Sequence, residues 1–142
     1  MTLRLALVAL LAAVAAPTAL GGPANLFSVR VGPVARVISG GDSLWVPIRY
    51  RCTQSGMLKL RLSVFQAGAG AFGQAKLQAT CTGQLQKSVL KVSPGSSVRH
   101  RFGPGFARAC WLGATRRPSG FEPSGFDALQ SQCNGLSVTA ST

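Results

Sequence analysis

Short runs of alternating apolar and polar residues, separated by glycine, proline and serine, dominate the sequence from residue 26 onward. In residues 44–52, for example, Leu44, Val46 and Ile48 occupy every second position. A period of two places alternate side chains on opposite faces of an extended chain, so each run predicts a β-strand with one buried face. Because turn signals recur every ~8–12 residues, the pattern predicts an all-β fold.

The strand predictions differ in strength along the chain. Pro47 lies inside the first clear run and has no N–H to donate, which predicts that this strand is at an edge or bulged. The clear runs are 44–52, 58–66 and 76–81, and weaker ones are 26–31, 34–39, 85–92, 97–102, 107–114 and 135–140.

One segment near the C-terminus departs from the period of two. Between Ser124 and Gln132, Phe126 and Leu129 share the face of a helix, Ser124 with Asp127 resembles a capping box, and a glycine follows soon after. We therefore expect one short helical turn there. The rest of the chain predicts a single antiparallel β-sandwich, similar in layout to immunoglobulin-like domains but without their Cys…Trp…Cys spacing.

The first 22 residues have the organisation of a secretory signal peptide followed by a short linker. Arg4 precedes an apolar run over 5–16, and small residues offer cleavage positions after Ala15, after Ala19 or slightly later. The run is shorter than the ~20 residues that a membrane-spanning helix needs. We expect a single secreted domain at 23–142, without a transmembrane segment after signal removal, that is secreted, periplasmic or associated with the cell envelope.

Four cysteines, Cys52, Cys81, Cys110 and Cys133, all follow the predicted leader. An even number of cysteines in an exported chain predicts a disulfide framework, and four cysteines allow three pairings. We favour Cys52–Cys81 with Cys110–Cys133, because each pair closes a short local segment. The cysteines lack the CxxC spacing and the neighbouring histidine typical of zinc sites, so no metal is predicted.

The charge balance restricts the chemistry that this chain can perform. It has 15 Lys and Arg residues, 3 Asp and Glu residues and one His, for a formal charge of +12. So few acids disfavour carboxylate pairs and calcium sites. His100 lies between arginines without a sequence signature for a nucleophile, and we interpret it as an exposed strand residue. We expect no enzymatic activity and no cofactor.

A GxGxxG motif at Gly68–Gly73 resembles the dinucleotide-binding fingerprint. That fingerprint requires a helix that opens at the glycines and an acid about 20 residues later. Here the glycines lead into the alternating run 76–81, and no acid occurs between Asp42 and Glu122. The motif therefore predicts a hairpin loop.

The basic surface is the main functional signal. Outward positions of the clear strands are basic, and further arginines accompany phenylalanines in the C-terminal half, which is typical of polyanion binding. The alternative is that these charges only keep the chain soluble and protect its strand edges. The candidate binding residues are Arg49, Arg51, Lys59, Arg61 and Lys76, which we expect to merge into one face, with Arg99, Arg101, Arg108, Arg116, Arg117 and Phe121.

We therefore expect a secreted, non-catalytic binding or envelope-associated protein that engages an anionic partner. An acidic envelope polymer, a sulfated or acidic glycan and extracellular nucleic acid all fit this charge. The second hypothesis is a protein–protein interaction module, inhibitor-like or adhesin-like, that uses the loop 115–127. Phe121 would contact the protein target in that case.

Overall fold

The computed structural model describes residues 27–52, 56–95, 100–116 and 128–141. These residues form an all-β fold, as predicted, whose helices are the single 3₁₀ turns Ser39–Gly41 and Ala67–Ala69. The strands are β1 (Phe27–Val31), β2 (Val34–Ile38), β3 (Ser43–Cys52), β4 (Gly56–Gln66), β5 (Ala71–Cys81), β6 (Gln86–Pro94), β7 (Gly105–Arg116) and β8 (Ala128–Thr139).

The alternation predicted for the clear runs produces one continuous core. On β3, Leu44, Val46 and Ile48 are buried and the residues between them are exposed. The same pattern on β4 buries every second residue from Leu58 to Gln66. The predicted strand 97–102 is wrong where it can be compared, since residues 100–102 are not in a strand.

The strands close into a seven-stranded barrel, so the prediction of an immunoglobulin-like sandwich is wrong in this respect. The ring runs β3–β2–β8–β7–β4–β5–β6 and returns to β3, which pairs with β2 on one flank and β6 on the other. β1 continues the β2 flank along the second half of β3. A sandwich leaves edge strands, whereas pairing β3 on both flanks joins the two edges.

The barrel is paired unevenly around its circumference. β4 pairs with β5 and β7, and β7 with β8, over most of their lengths. By contrast, β5 and β6 pair only at Gly73↔Pro94 and Gln74↔Ser93, and β2 meets β8 in parallel from Val34 to Arg36. These two seams lie at the same end of the barrel, which we call the closed end. The opposite end, where β1 and β4 begin, is the open end.

Both predicted disulfides are confirmed. Cys52–Cys81 joins the end of β3 to the end of β5 inside the open end, where β5 no longer pairs with β6. Cys110–Cys133 joins directly opposite residues of β7 and β8, with a Cα–Cα distance of 4.0 Å. The first bridge therefore connects β3 to β5 where the ladder between β5 and β6 is missing, and the second reinforces a single ladder.

Pro47 lies in the middle of the barrel wall, not at an edge. Its carbonyl accepts a hydrogen bond from Gly32 N–H at 2.7 Å, at the break between β1 and β2. N–H and C=O of one strand residue point to the same side, so the N–H that proline lacks would also point at this break. The missing donor therefore removes a single ladder bond, the one to the carbonyl of Gly32, at the point where the flank passes from β1 to β2.

Residues 100–103 cover the closed end of the barrel. Phe102 is buried in the core, and its N–H donates to the carbonyl of Gly41. Gly41 has a φ of +100°, and a Cβ there would lie 2.5 Å from the Phe102 carbonyl oxygen, so only glycine fits. The buried amide of Gln66 donates to Gly103 O and accepts from Gly103 N–H. This double hydrogen bond fixes the segment across the barrel mouth.

The helical turn expected over Ser124–Gln132 is wrong from residue 128 onward, where β8 begins. Residues 128–132 are held extended by their ladder with β7, which pairs Thr115 with Ala128 and Trp111 with Gln132. Residues 117–127 lie outside the described residues, as does the predicted leader. No helix in the described ranges has the length and apolar character needed to cross a membrane.

We predict that Gln66→Ala destabilises the protein by about 2 kcal/mol, because it leaves the N–H and C=O of Gly103 without their partner. Gln74→Ala is the matched control, since Gln74 is exposed and its side chain bonds, among the described residues, only to the Ser63 hydroxyl. Denaturant unfolding of both variants gives the comparison. Equal loss of unfolding free energy in the two variants would contradict the role assigned to Gln66.

Candidate functional site: a basic face on the barrel

The sheet formed by β1, β2, β3 and β6 has an outer surface rich in cations, which we call the β3 face. Its basic side chains are exposed because they occupy the outward positions of strands whose alternate residues fill the core. Arg51 Nε–H also donates to Gly83 O at 2.9 Å, which attaches the loop after β5 to this face. The cations are Arg30, Arg36, Arg49, Arg51, Lys87 and Lys91.

Strand register arranges these cations in rows across the sheet. Arg49 is opposite Arg30 on β1 and opposite Lys87 on β6. In a second row, Trp45 lies between Arg36 on β2 and Lys91 on β6. Neighbouring strands are ~4.8 Å apart, so the three charges of the first row span about 10 Å.

The β3 face also has an apolar component. Trp45 is 49% exposed between two cations, and Val89 is 60% exposed on β6. A shallow depression of about 690 Å³ runs between the first row and Val89, over Pro47. Cations interleaved with an exposed indole combine charge attraction with a stacking surface.

The remaining predicted strand cations form a second site, which we call the β4 patch: Lys59, Arg61 and Lys76. Arg61 and Lys76 are directly opposite each other on β4 and β5, and the exposed Leu112 adjoins them on β7. In the ring, β6 and β5 lie between β3 and β4. The single merged face that we expected is therefore divided into two patches on different parts of the barrel wall.

Of the other predicted binding residues, Arg101 and Arg108 lie outside both patches. Arg101 forms an ion pair with Asp42 at 3.3 Å at the closed end. Arg108 is exposed on β7, opposite Phe65 of β4. Arg116 ends β7, whereas Arg99, Arg117 and Phe121, with most of the loop 115–127, lie outside the described residues.

Asp42 is the one acid within the described ranges, and its partner is Arg101. The six cations of the β3 face consequently have no carboxylate partner among the described residues. A surface that holds one sign of charge attracts counter-ions of the opposite sign and accelerates their association. This electrostatic asymmetry is the main chemical property of the face.

His100 and the motif Gly68–Gly73, which we considered for catalysis and for nucleotide binding, lie outside both basic patches. His100 is exposed at the closed end, with its ring close to Gly70 of the β4–β5 turn. Gly68–Gly73 form that turn and the start of β5, as predicted for a hairpin loop. In the ranges that the structure describes, no three His, Cys, Asp or Glu residues gather at a metal-binding distance.

Sequence reasoning missed much of the β3 face: Trp45 and four of its cations, Arg30, Arg36, Lys87 and Lys91. Each occupies an outward position of a predicted strand, so its exposure was predictable from the alternation. Their association was not, because it depends on the pairing of β3 with β1, β2 and β6.

Comparison with known proteins adds no name to this surface. No protein-family model matches the chain, and none of the curated proteins is significantly similar to it in sequence.

The β4 patch supplies a test of the register. Like charges directly opposite on neighbouring strands repel, so Lys76→Glu, which faces Arg61, should stabilise the protein by ~0.5 kcal/mol at low salt. The gain should shrink in high salt. Thermal unfolding at low and at high salt measures this gain in stability. Gln78→Glu, which lies opposite Lys59, is a second test of the same register and should also stabilise the protein at low salt. Destabilisation by Lys76→Glu would contradict the register.

Proposed function

We propose that this chain is a secreted, non-catalytic binding protein that engages an anionic polymer through the β3 face. The observation that carries the proposal is the set of six cations around the exposed Trp45, without a described carboxylate partner. The anionic groups are phosphates, sulfates or carboxylates repeated along a chain. Such a partner spans the cation rows and contacts several of them at once, which a single small anion does not do.

Export to an oxidising compartment is part of this proposal. Its support is the pair of disulfides, because disulfides persist in secreted and periplasmic proteins and are rare in reducing ones. An envelope location brings the chain close to anionic surface polymers. The leader at residues 1–22 and the contact loop at 115–127 stay predictions.

The β3 face is favoured over the β4 patch for two reasons. It has twice as many cations, and Trp45 lies within its rows, whereas the β4 patch offers the aliphatic Leu112. The position of the cations distinguishes a binding role from a role in solubility. Solubility depends on the total charge, whereas binding depends on which patch carries the charge. The two patches allow that distinction to be tested with equal changes in charge.

We predict that Arg30→Gln/Arg49→Gln/Lys87→Gln weakens binding to a labelled DNA duplex, heparin and a teichoic-acid-type polymer. With DNA, the slope of log K against log salt should fall in magnitude by roughly 2 to 3, because each lost phosphate contact contributes about 0.9. Fluorescence anisotropy across a salt series measures affinity and slope together.

The matched control is Lys59→Gln/Arg61→Gln/Lys76→Gln, which removes the same charge from the β4 patch and should retain most of the affinity and slope. If both triple variants lose affinity equally, net charge and not the β3 face is responsible. If the unmodified protein fails to bind any of the three polymers at low salt, or binds them without salt dependence, the proposal is rejected.

A further inference from the structure

A cleft opens between β1 and β8 at the open end of the barrel, and we call it the edge cleft. β2 and β8 pair as far as Pro33 and Ser137, but no pairing joins β1 to β8 among the described residues. The cleft has a volume of about 550 Å³, within the range of ligand sites. It runs along all five residues of β1, with Trp111 and inward residues of β8 opposite.

One wall of the edge cleft is a row of unpaired backbone groups on β1. In an antiparallel pair, successive residues direct N–H and C=O alternately toward and away from the partner. Gly32 N–H points to Pro47 on β3, and the register continues through β1. Phe27, Val29 and Val31 therefore direct their N–H and C=O groups away from β3 and into the cleft.

The other wall is a matching row on β8. Ser137 N–H points toward the β2 side, to Pro33 O. By the same alternation, the N–H and C=O groups of three further residues point toward β1, namely Ser131, Cys133 and Gly135. The short Cα–Cα distance of 4.0 Å at Cys110–Cys133 agrees, because it is typical of a pair whose backbone groups do not bond to each other.

The floor of the edge cleft is polar and accessible from outside the barrel. Gln130, Gln132 and Asn134 occupy the inward positions of β8, where Leu136 and Val138 further along are apolar core residues. The Gln132 amide donates to Asn134 Oδ1 at 3.4 Å. Gln132 is exposed and Asn134 is half-buried, so both amides are accessible to an occupant of the cleft.

A buried donor provides an independent indication of a ligand. Trp111 lines the floor, is only 4% exposed, and packs edge-on against Phe27 with ring centroids 6.0 Å apart. Its indole N–H has no hydrogen-bond partner in the described part of the chain. Buried indole N–H groups normally find a partner, because an unsatisfied donor is costly. Trp111 lines the edge cleft, so an occupant that displaces the side chains covering the N–H would bring an acceptor to it.

We propose that the edge cleft binds an extended peptide segment of a partner protein, which enters as an added strand between β1 and β8. A peptide backbone offers N–H and C=O at the spacing of both walls, and its inward side chains face the amides and the Trp111 N–H. Five extended residues span about 17 Å, the length of β1. Ser, Thr, Asn or Gln at inward positions supplies the acceptor that Trp111 lacks.

The probe is the uncharged peptide acetyl-Thr-Gln-Thr-Val-Thr-Gln-Thr-amide, chosen so that the basic surfaces do not attract it. Titration into ¹⁵N-labelled protein should shift the Trp111 indole resonance and slow hydrogen exchange at the amides of Val29, Val31 and Cys133. Versions of the peptide with N-methyl groups on alternate residues lose main-chain donors and should bind at least tenfold more weakly. Unchanged resonances up to millimolar peptide would overturn the proposal, as would equal binding of all methylated versions.

Protein variants separate a hydrogen bond from a general structural effect. Trp111→Phe should weaken peptide binding about fivefold to tenfold, because it removes the indole donor and keeps a ring against Phe27. Thr115→Val is the matched control: its buried hydroxyl also lacks a described partner, but it does not line the cleft, so affinity should not change. Equal effects of the two variants would contradict the role of Trp111.

A second copy of this chain is the competing occupant. Concentration-dependent protection of the β1 and β8 amides without peptide, together with a dimer in sedimentation, would show that a second copy fills the cleft and would overturn the partner assignment. Arg30 borders both sites, so the polyanion control for this proposal is Arg49→Gln/Lys87→Gln, whose residues do not line the edge cleft. This variant should lose polyanion affinity and keep peptide affinity, so the two proposals fail separately.

Discussion

The double pairing of β3 is the constraint on which the rest of the structure depends. Its inward residues contribute Leu44, Val46 and Ile48 to the core, and its two flanks join the sheet edges into a ring. Pro47 removes one ladder bond from this strand, at Gly32, where the flank passes from β1 to β2. The ring in turn decides which outward side chains become neighbours. The basic rows of the β3 face exist because β1, β2 and β6 all meet on this strand.

The break at Gly32 also gives β1 and β2 different neighbours. β2 turns toward β8 and closes the ring, while β1 stays with β3 and leaves its other edge unpaired in the described structure. At the opposite seam, where β5 and β6 separate, Cys52–Cys81 holds the sheets together from inside. The seam between β1 and β8 has no covalent bridge, since Cys110–Cys133 lies within the β7–β8 ladder.

The sequence predicts strands better than it predicts their arrangement. Runs such as 44–52 carry their own burial signal, and cysteines that close short segments favour the pairing that the structure has. Closure of the barrel depends on pairing between strands that are far apart in the sequence. Nothing in the alternation of 86–94 specifies β3 as its neighbour, so a sandwich and a barrel give the same sequence pattern. The wrong helix near 128–132 has a local cause. Gln130, Gln132 and Asn134 are polar at inward positions, which removes the apolar period of a strand.

Arg30 shows how the two proposed sites can operate in one small barrel. It borders both the depression on the β3 face and the edge cleft, because β1 is the outermost strand of that sheet. Its side chain projects outward with Arg49, whereas the free backbone groups of β1 point sideways in the plane of the sheet. A polymer lying across the side chains and a strand added at the edge therefore approach along perpendicular directions. Simultaneous occupancy follows from this geometry, and an added strand would extend the basic sheet by one more strand beside Arg30.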